Sequence, residues 1–159
     1  MDELLNLLRE DASLTPAEIA NRLNQTEADV EAKIKEHETN GVILGYRTVL
    51  NEEKLDLEIV RAVIEVKITP EREGGFDRVA LRISQFNEVA SCYLMSGAYD
   101  LLVIVEGRDL RAVSTFVAEK LATMPGVIST ATHFILKPYK EHGVMMGGEY
   151  SDEKLAVAP

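Results

Sequence analysis

Histidine, cysteine and carboxylate side chains at close spacing would be the first sign of a metal centre or a catalytic site. The chain has three histidines and one cysteine. His133 and His142 have no paired cysteine or carboxylate at the spacing that metal ligands use. Cys92 lies in an apolar, strand-like run, where a small buried thiol without a redox role is expected. The sequence contains no phosphate-binding glycine loop and no nucleophile motif, so it predicts no metal, no cofactor and no enzyme.

The net charge of −10 bears on nucleic-acid binding, because Lys and Arg contacts to phosphate supply most of the non-specific affinity. Residues 1–50 carry five Lys or Arg against ten Asp or Glu, whereas residues 60–140 carry ten against nine. The acidity is therefore concentrated in the first third of the chain. The composition is that of a folded protein, and without a membrane-length apolar run or a basic leader it is expected to stay in the cytoplasm.

Two short helices are predicted at the start of the chain. Leu4, Leu5 and Leu8 fall at helical spacing in a first segment that ends near Asp11. Residues 15–18, Thr-Pro-Ala-Glu, form a capping box in which the threonine is the N-cap, the proline takes the first helical position and the glutamate reaches back to the N-cap amide. A second helix therefore begins at residue 16.

A third helix follows after the short turn Asn24-Gln25. Thr26 repeats the capping pattern, Val30, Ile34 and His37 follow at i, i+4 and i+7 spacing, and Gly41 ends the helix. His37 is expected to pack on the inner face of this helix like a small aromatic residue, with a pH switch as the alternative.

Residues 42–46, Val-Ile-Leu-Gly-Tyr, are predicted to form a β-wing. Two short helices with a tight turn, followed by a wing, make a winged helix-turn-helix, a motif that places its second helix in the major groove of DNA. This predicted domain covers residues 1–50, and the charged segment 51–59 is interpreted as a linker.

The second half is predicted to be a ferredoxin-like βαββαβ domain over residues 60–140. Its predicted elements are a strand over 60–68, a helix through Phe76, Val79, Ile83 and Phe86, a strand over 89–95, a turn at Ser96-Gly97-Ala98, an apolar strand over 101–105 covered on both faces, a helix capped by Asp109, and a last strand over 127–136. This order leaves one sheet face without helices, so two copies are expected to pair through that face. Residues 141–159 are interpreted as a tail.

Several segments of the sequence resemble the corresponding segments of the Lrp/AsnC (leucine-responsive, feast/famine) transcriptional regulator family. They are Ile19-Ala20, the Lys33-Ile34-Lys35 run, residues 40–46, the stretch Gly97-Ala98-Tyr99-Asp100-Leu101-Leu102, Met124-Pro125-Gly126-Val127 and the closing stretch 130–137. The resemblance covers about residues 1–140. It implies a winged helix-turn-helix followed by an ACT-like (RAM) domain, and a homodimer or higher homo-oligomer, such as a tetramer or octamer, that binds double-stranded DNA and an amino-acid effector.

The resemblance places DNA contacts on the third helix and its surroundings. The residues concerned are Arg22, Thr26, Glu27, Ala28, Glu31, Lys33, Lys35 and Arg47. The family usually presents small polar and basic residues on the exposed face of this helix, whereas this chain offers Glu27, Asp29, Glu31 and Ala32. Carboxylates repel phosphates, so the lysines and arginines must outweigh them for DNA to bind.

The resemblance also places the effector near the turn between the second and third strands of the second domain, at Gly97, Ala98, Tyr99 and Asp100. Amides of such a turn can bind a carboxylate, and Asp100 can accept a hydrogen bond from an ammonium group. The alternative is structural: Gly97 permits the turn, Tyr99 packs, and Asp100 braces the loop.

The leading hypothesis is a sequence-specific DNA-binding transcriptional regulator whose assembly responds to a small effector. A second hypothesis is an effector-sensing partner that binds little DNA itself and acts by co-assembling with a more basic relative. A third is an enzyme, since distant relatives of this architecture decarboxylate tetrapyrroles; the intact Gly97 to Asp100 phrase and the missing catalytic cluster argue against it.

Overall fold

The structure is a computed structural model that describes residues 2–55, 57–70 and 74–146. The chain divides into two compact units, residues 1–50 and residues 51–159. Most of the predicted tail, residues 147–159, lies outside the described residues.

The first unit contains three helices around a small apolar core. They are α1 (Glu3–Glu10), α2 (Pro16–Leu23) and α3 (Glu27–Thr39). The core consists of the buried side chains of Leu4, Ile19, Ala20 and Val30. All three predicted helices are confirmed. Of the apolar positions read from the sequence, Leu4 and Val30 are buried in this core and Leu8 and Ile34 pack against it, whereas Leu5 does not belong to it.

The capping residues define where these helices begin and end. The Thr15 hydroxyl accepts a hydrogen bond from the Glu18 amide at 3.3 Å, and the Glu18 carboxylate accepts from the Thr15 amide at 2.8 Å. The predicted capping box is therefore present. At the other end of the unit, Gly41 follows α3 with a φ of +69°, a backbone conformation that glycine adopts without strain.

The predicted β-wing is wrong, because none of the residues 42–50 forms a strand. A strand needs a second strand with which to share backbone hydrogen bonds, and the described residues of the first unit contain none. The segment continues from α3 without such pairing, and most of its apolar side chains are exposed, among them Leu44 at 93%. The Tyr46 hydroxyl donates to Glu38 of α3 at 3.0 Å, which holds part of the segment against the helix.

The second unit is an antiparallel four-stranded sheet with helices on one face. Its elements are β1 (Val60–Ile68), α4 (Asp77–Ser84), β2 (Val89–Leu94), β3 (Leu101–Gly107), α5 (Leu110–Phe116) with a π-helical extension (Val117–Leu121), and β4 (Val127–Phe134). The strand order is β2-β3-β1-β4. The predicted βαββαβ arrangement, with its antiparallel sheet, is therefore confirmed for this unit.

Alternate residues of the central strands form the core under the helices. Ala62, Ile64 and Val66 of β1 are fully buried, as are Leu101, Val103 and Val105 of β3. The expectation that β3 is covered on both faces is wrong for the single chain. Leu102 and Ile104 point to the opposite face and are only half-buried, because both helices lie on one side of the sheet.

The single cysteine lies at the edge of this core. Cys92 of β2 is half-buried, with its sulfur 4.0 Å from the Ala80 carbonyl of α4. Burial raises the pKa of the Cys92 thiol, and a hydrogen bond with Ser84 acts in the opposite direction. The Cys92 side chain thus packs between β2 and α4.

The predicted linker and tail both contain structure that the sequence analysis missed. Residues 51–59 group with the second unit, where a 3₁₀ turn (Glu52–Lys54) packs beside β1. The last long strand ends at Phe134 rather than at residue 136, and a hairpin of β5 (Lys140–Glu141) and β6 (Val144–Met145) follows. Its two turn residues, His142 and Gly143, both have positive φ, as a two-residue type I′ hairpin turn requires.

Candidate functional sites

The outer face of α3 is acidic along one ridge. Val30 is buried and Ile34 and His37 are half-buried, so the inner face of the helix is fixed. Glu27, Glu31 and Lys35 occupy i, i+4 and i+8 positions along one flank of the helix, and all three are exposed, as is Ala28. Two carboxylates and one ammonium group therefore share one exposed flank of α3.

The remaining predicted DNA-contacting residues differ in how they are held. The Lys33 ammonium donates to the Gln25 side-chain oxygen at 2.8 Å, which ties it to the turn between α2 and α3. The Thr26 hydroxyl accepts from the Asp29 amide at 3.2 Å, so its first role is to cap α3. Arg22, in the last turn of α2, and Arg47, in the extended segment 42–50, are both exposed.

His37 has a partner that sequence spacing did not indicate. Its Nε2 lies 3.1 Å from a carboxylate oxygen of Asp2, and the His37 side chain is 21% exposed. The other Asp2 oxygen accepts from the Leu4 amide at the start of α1. This backbone hydrogen bond, followed by the one with His37, lowers the pKa of Asp2. The packing role expected for His37 is thus accompanied by a polar link from α3 to the beginning of α1.

The loop between β2 and β3, residues 95–100, holds the predicted effector residues. The Asp100 carboxylate accepts from the Ile68 amide at 2.9 Å, and the Asp100 amide donates to the Val66 carbonyl at 3.0 Å. Asp100 therefore braces the loop against the end of β1. Gly97 is exposed with a φ of +140°, which other residues rarely adopt, and Tyr99 is half-buried.

A network around Arg61, at the start of β1, was not identified from the sequence. The Arg61 side chain is 14% exposed. Its Nε donates to Glu106 of β3 at 2.9 Å, one terminal nitrogen donates to Glu141 of β5 at 3.3 Å, and the other donates to Glu52 of the 3₁₀ turn. Burial acts to lower the pKa of Arg61, but the three carboxylates outweigh it and raise that pKa. We call this group the Arg61 clasp; it joins four separate segments of the second unit.

A cavity of about 220 Å³ lies beside the clasp, within the second unit. The residues that line it are Asn51, Glu52, Glu53, Leu57, Ile59, Arg61, the four residues 135–138 that follow β4, and Met146. In the described part of the chain, including this cavity, no three His, Cys, Asp or Glu side chains are arranged to bind a metal ion. Likewise, no helix among the described residues has the length and apolar content needed to cross a membrane.

Paired short helices followed by a ferredoxin-like module define a two-domain class of protein, and comparison with known proteins identifies the family within it. The model of the Lrp/AsnC ligand binding domain matches residues 61–145. The uncharacterized HTH-type transcriptional regulator YugG of Bacillus subtilis is 41% identical over 158 residues, which cover 99% of this chain and 95% of that protein. The chain belongs to the Lrp/AsnC family of transcriptional regulators.

Two further relatives extend the comparison. The proline dehydrogenase transcriptional activator of Rhizobium radiobacter is 29% identical, with 89% of this chain and 90% of that protein covered. Among solved structures, the complex of transcriptional regulator NMB0573 from Neisseria meningitidis with L-Met is 27% identical. It has a TM-score of 0.68 and covers 89% of this chain and 93% of that chain. Both relatives are named as transcriptional regulators, which favours the regulator hypothesis over the enzyme hypothesis.

Proposed function

We propose that the chain is a DNA-binding regulator that reads DNA with the α2–α3 pair and whose assembly responds to a small effector. The observation that carries this proposal is the combination of the family match over 61–145 with 41% identity to an HTH-type regulator across nearly the whole chain, including both helices. The three-residue connection between α2 and α3, with Thr26 capping α3, has the length expected of a helix-turn-helix and supports the proposal.

The acidic ridge on α3 supports a second candidate. If Glu27 and Glu31 offset the basic residues, the chain contributes effector sensing to a mixed assembly and relies on a more basic relative for DNA affinity. Both candidate functions assign effector sensing to the second unit of the chain. They differ only in what α3 binds.

A gel-shift titration of the purified protein against DNA from upstream of its own coding region tests the proposal. We expect binding at low salt that weakens at physiological salt but persists against a scrambled competitor of equal length. Binding that never exceeds that to the scrambled DNA would reject sequence-specific recognition by this chain alone and favour the co-assembly candidate.

We further propose that an amino acid binds at the loop of residues 95–100. The support is the L-Met complex of a relative and the loop itself, where exposed backbone lies beside the braced carboxylate of Asp100. Calorimetry over the common amino acids should reveal at least one ligand. Asp100→Asn keeps a side-chain oxygen for the Ile68 amide but removes the charge, so we expect it to weaken that ligand about tenfold.

Asp100→Ala serves as the comparison variant, because it removes both the charge and the brace. If Asp100→Asn binds as tightly as the wild type while Asp100→Ala does not, Asp100 acts only through the loop structure and its role as an ammonium acceptor is rejected.

We also propose that the chain self-associates through the sheet face that carries no helix. Leu102 and Ile104 lie on that face together with Val63 and Tyr93, and Tyr93 is 49% exposed in the single chain. Burying such a face requires a partner sheet. Light scattering of the intact protein should give a mass of at least twice 17.6 kDa. Ile104→Glu should shift the population toward the monomer, whereas a monomeric wild type at micromolar concentration would overturn the idea.

A further inference from the structure

The cavity beside the Arg61 clasp has no role in the sites described above. Part of its wall is aliphatic: Ile59 and Ile135 are 40% and 37% exposed, and Met146 is 7% exposed. These side chains meet in a concavity rather than standing singly on a convex surface. Concave apolar walls with a few convergent polar groups are the usual form of a small-molecule site.

Two opposite charges lie on different walls of the cavity. Glu53 comes from the 3₁₀ turn, and Lys137 comes from the chain just after β4. The Lys137 ammonium and the nearest Glu53 oxygen are 3.8 Å apart, and the side chains are 52% and 60% exposed. An exposed ion pair at this distance contributes little to stability. A ligand that supplies better partners to each charge can therefore separate the two groups at little cost.

Arg61 also faces the cavity but is not available in the same way. Its three donor nitrogens are held by Glu106, Glu141 and Glu52. The clasp therefore acts as a rigid wall: it fixes Glu52 to β1 and so positions Glu53, the next residue, opposite Lys137. The charges offered to a ligand are then one carboxylate and one ammonium group, which cancel.

We propose that this cavity binds an α-amino acid or a similar small zwitterion with an apolar side chain. The ligand's ammonium group pairs with Glu53, its carboxylate pairs with Lys137, and its side chain packs on Ile59 and Ile135. A zwitterion satisfies both rim charges, whereas a simple amine or acid leaves one of them unpaired. The volume suits a single small metabolite, since sites for drug-sized ligands measure about 300 to 1,000 Å³. The site is distinct from the loop of residues 95–100.

Three probes that share a butyl chain test the charge requirement. They are L-norleucine, which is zwitterionic, pentylamine, which carries only the ammonium group, and hexanoate, which carries only the carboxylate. Each is titrated into the full-length protein with isoleucine methyl groups labelled for NMR. We expect L-norleucine to shift the methyl signals of Ile59 and Ile135, and the other two probes to bind there at least about fivefold more weakly.

Substitutions on the rim locate the site. Glu53→Gln and Lys137→Gln should each weaken L-norleucine at these methyl groups at least about fivefold, while Glu58→Gln, an exposed acid of the same segment, should have no effect. Asp100→Asn should also leave this titration unchanged, which separates the cavity from the loop site. The proposal is overturned if no shift appears up to about 10 mM, if pentylamine or hexanoate binds equally well, or if the rim variants bind normally. None of these outcomes depends on whether the chain binds DNA.

Discussion

Replacing Glu27 and Glu31 together with glutamine should strengthen non-specific DNA binding by up to about eightfold per subunit at low salt. A carboxylate about 7 Å from a phosphate is repelled by roughly 0.6 kcal/mol in water before screening by salt. Two such repulsions together correspond to a roughly eightfold change in DNA affinity. The exposed ridge position of both side chains is the structural reason to expect this effect. The salt dependence should also become steeper, because Lys35 and its neighbours then engage phosphates that the acids had kept away.

The measurement is a fluorescence anisotropy titration with unrelated duplex DNA at several salt concentrations. Glu3→Gln with Glu10→Gln on α1 is the matched control, since it removes the same charge from another helix of the same unit. A similar gain in the control would mean that net charge alone controls affinity. No gain in the α3 variant at any salt would mean that this helix does not face DNA, and the co-assembly candidate would then be favoured.

Replacing Arg61 with methionine should lower the free energy of unfolding of the second unit by about 2 kcal/mol. Removing one partner of a fully buried ion pair costs about 3 to 5 kcal/mol, because the remaining charge is left without compensation. The three carboxylates here are 28% to 34% exposed, so water compensates them in part and the loss is smaller. The variant removes the cation that Glu52, Glu106 and Glu141 share.

Urea denaturation at one fixed protein concentration measures this loss, since association also contributes to apparent stability. Lys67→Met removes a cation from an exposed position of the same strand and should change stability by less than about 0.5 kcal/mol. Adding Glu106→Gln to Arg61→Met should recover part of the loss, because fewer carboxylates then repel one another. If Arg61→Met is no more destabilising than Lys67→Met, the clasp does not stabilise the unit.

Local patterns predicted most of the elements. The capping box of Thr15 and Glu18, the period-two alternation of β1 and the helical spacing of Val79 and Ile83 depend only on neighbours within one or two turns, and each of these elements lies where the sequence places it. The predicted β-wing was wrong because the apolar run of residues 42–46 does not reveal whether a partner strand is present.

The site was predictable only where it depends on local sequence. The exposed ridge of α3 follows from its periodicity, whereas the Arg61 clasp joins residues 9, 45 and 80 positions from the arginine. No spacing rule connects such positions, and the sequence predicts only a strand over residues 60–68. The hairpin of β5 and β6 did have a local signal, the His142-Gly143 pair between two-residue strands, but those strands are too short to show any alternation.

The position of Cys92 gives the protein an internal reporter of local opening. It is the single cysteine of the chain, and its sulfur lies under α4 with the thiol pKa raised by burial. A thiol reagent reacts with the exposed thiolate, and because Cys92 is only half-buried, transient separation of α4 from β2 should speed its modification. The labelling rate of the unaltered protein therefore responds to opening of this part of the second unit, and a ligand that stabilises the unit should slow it without any engineered probe.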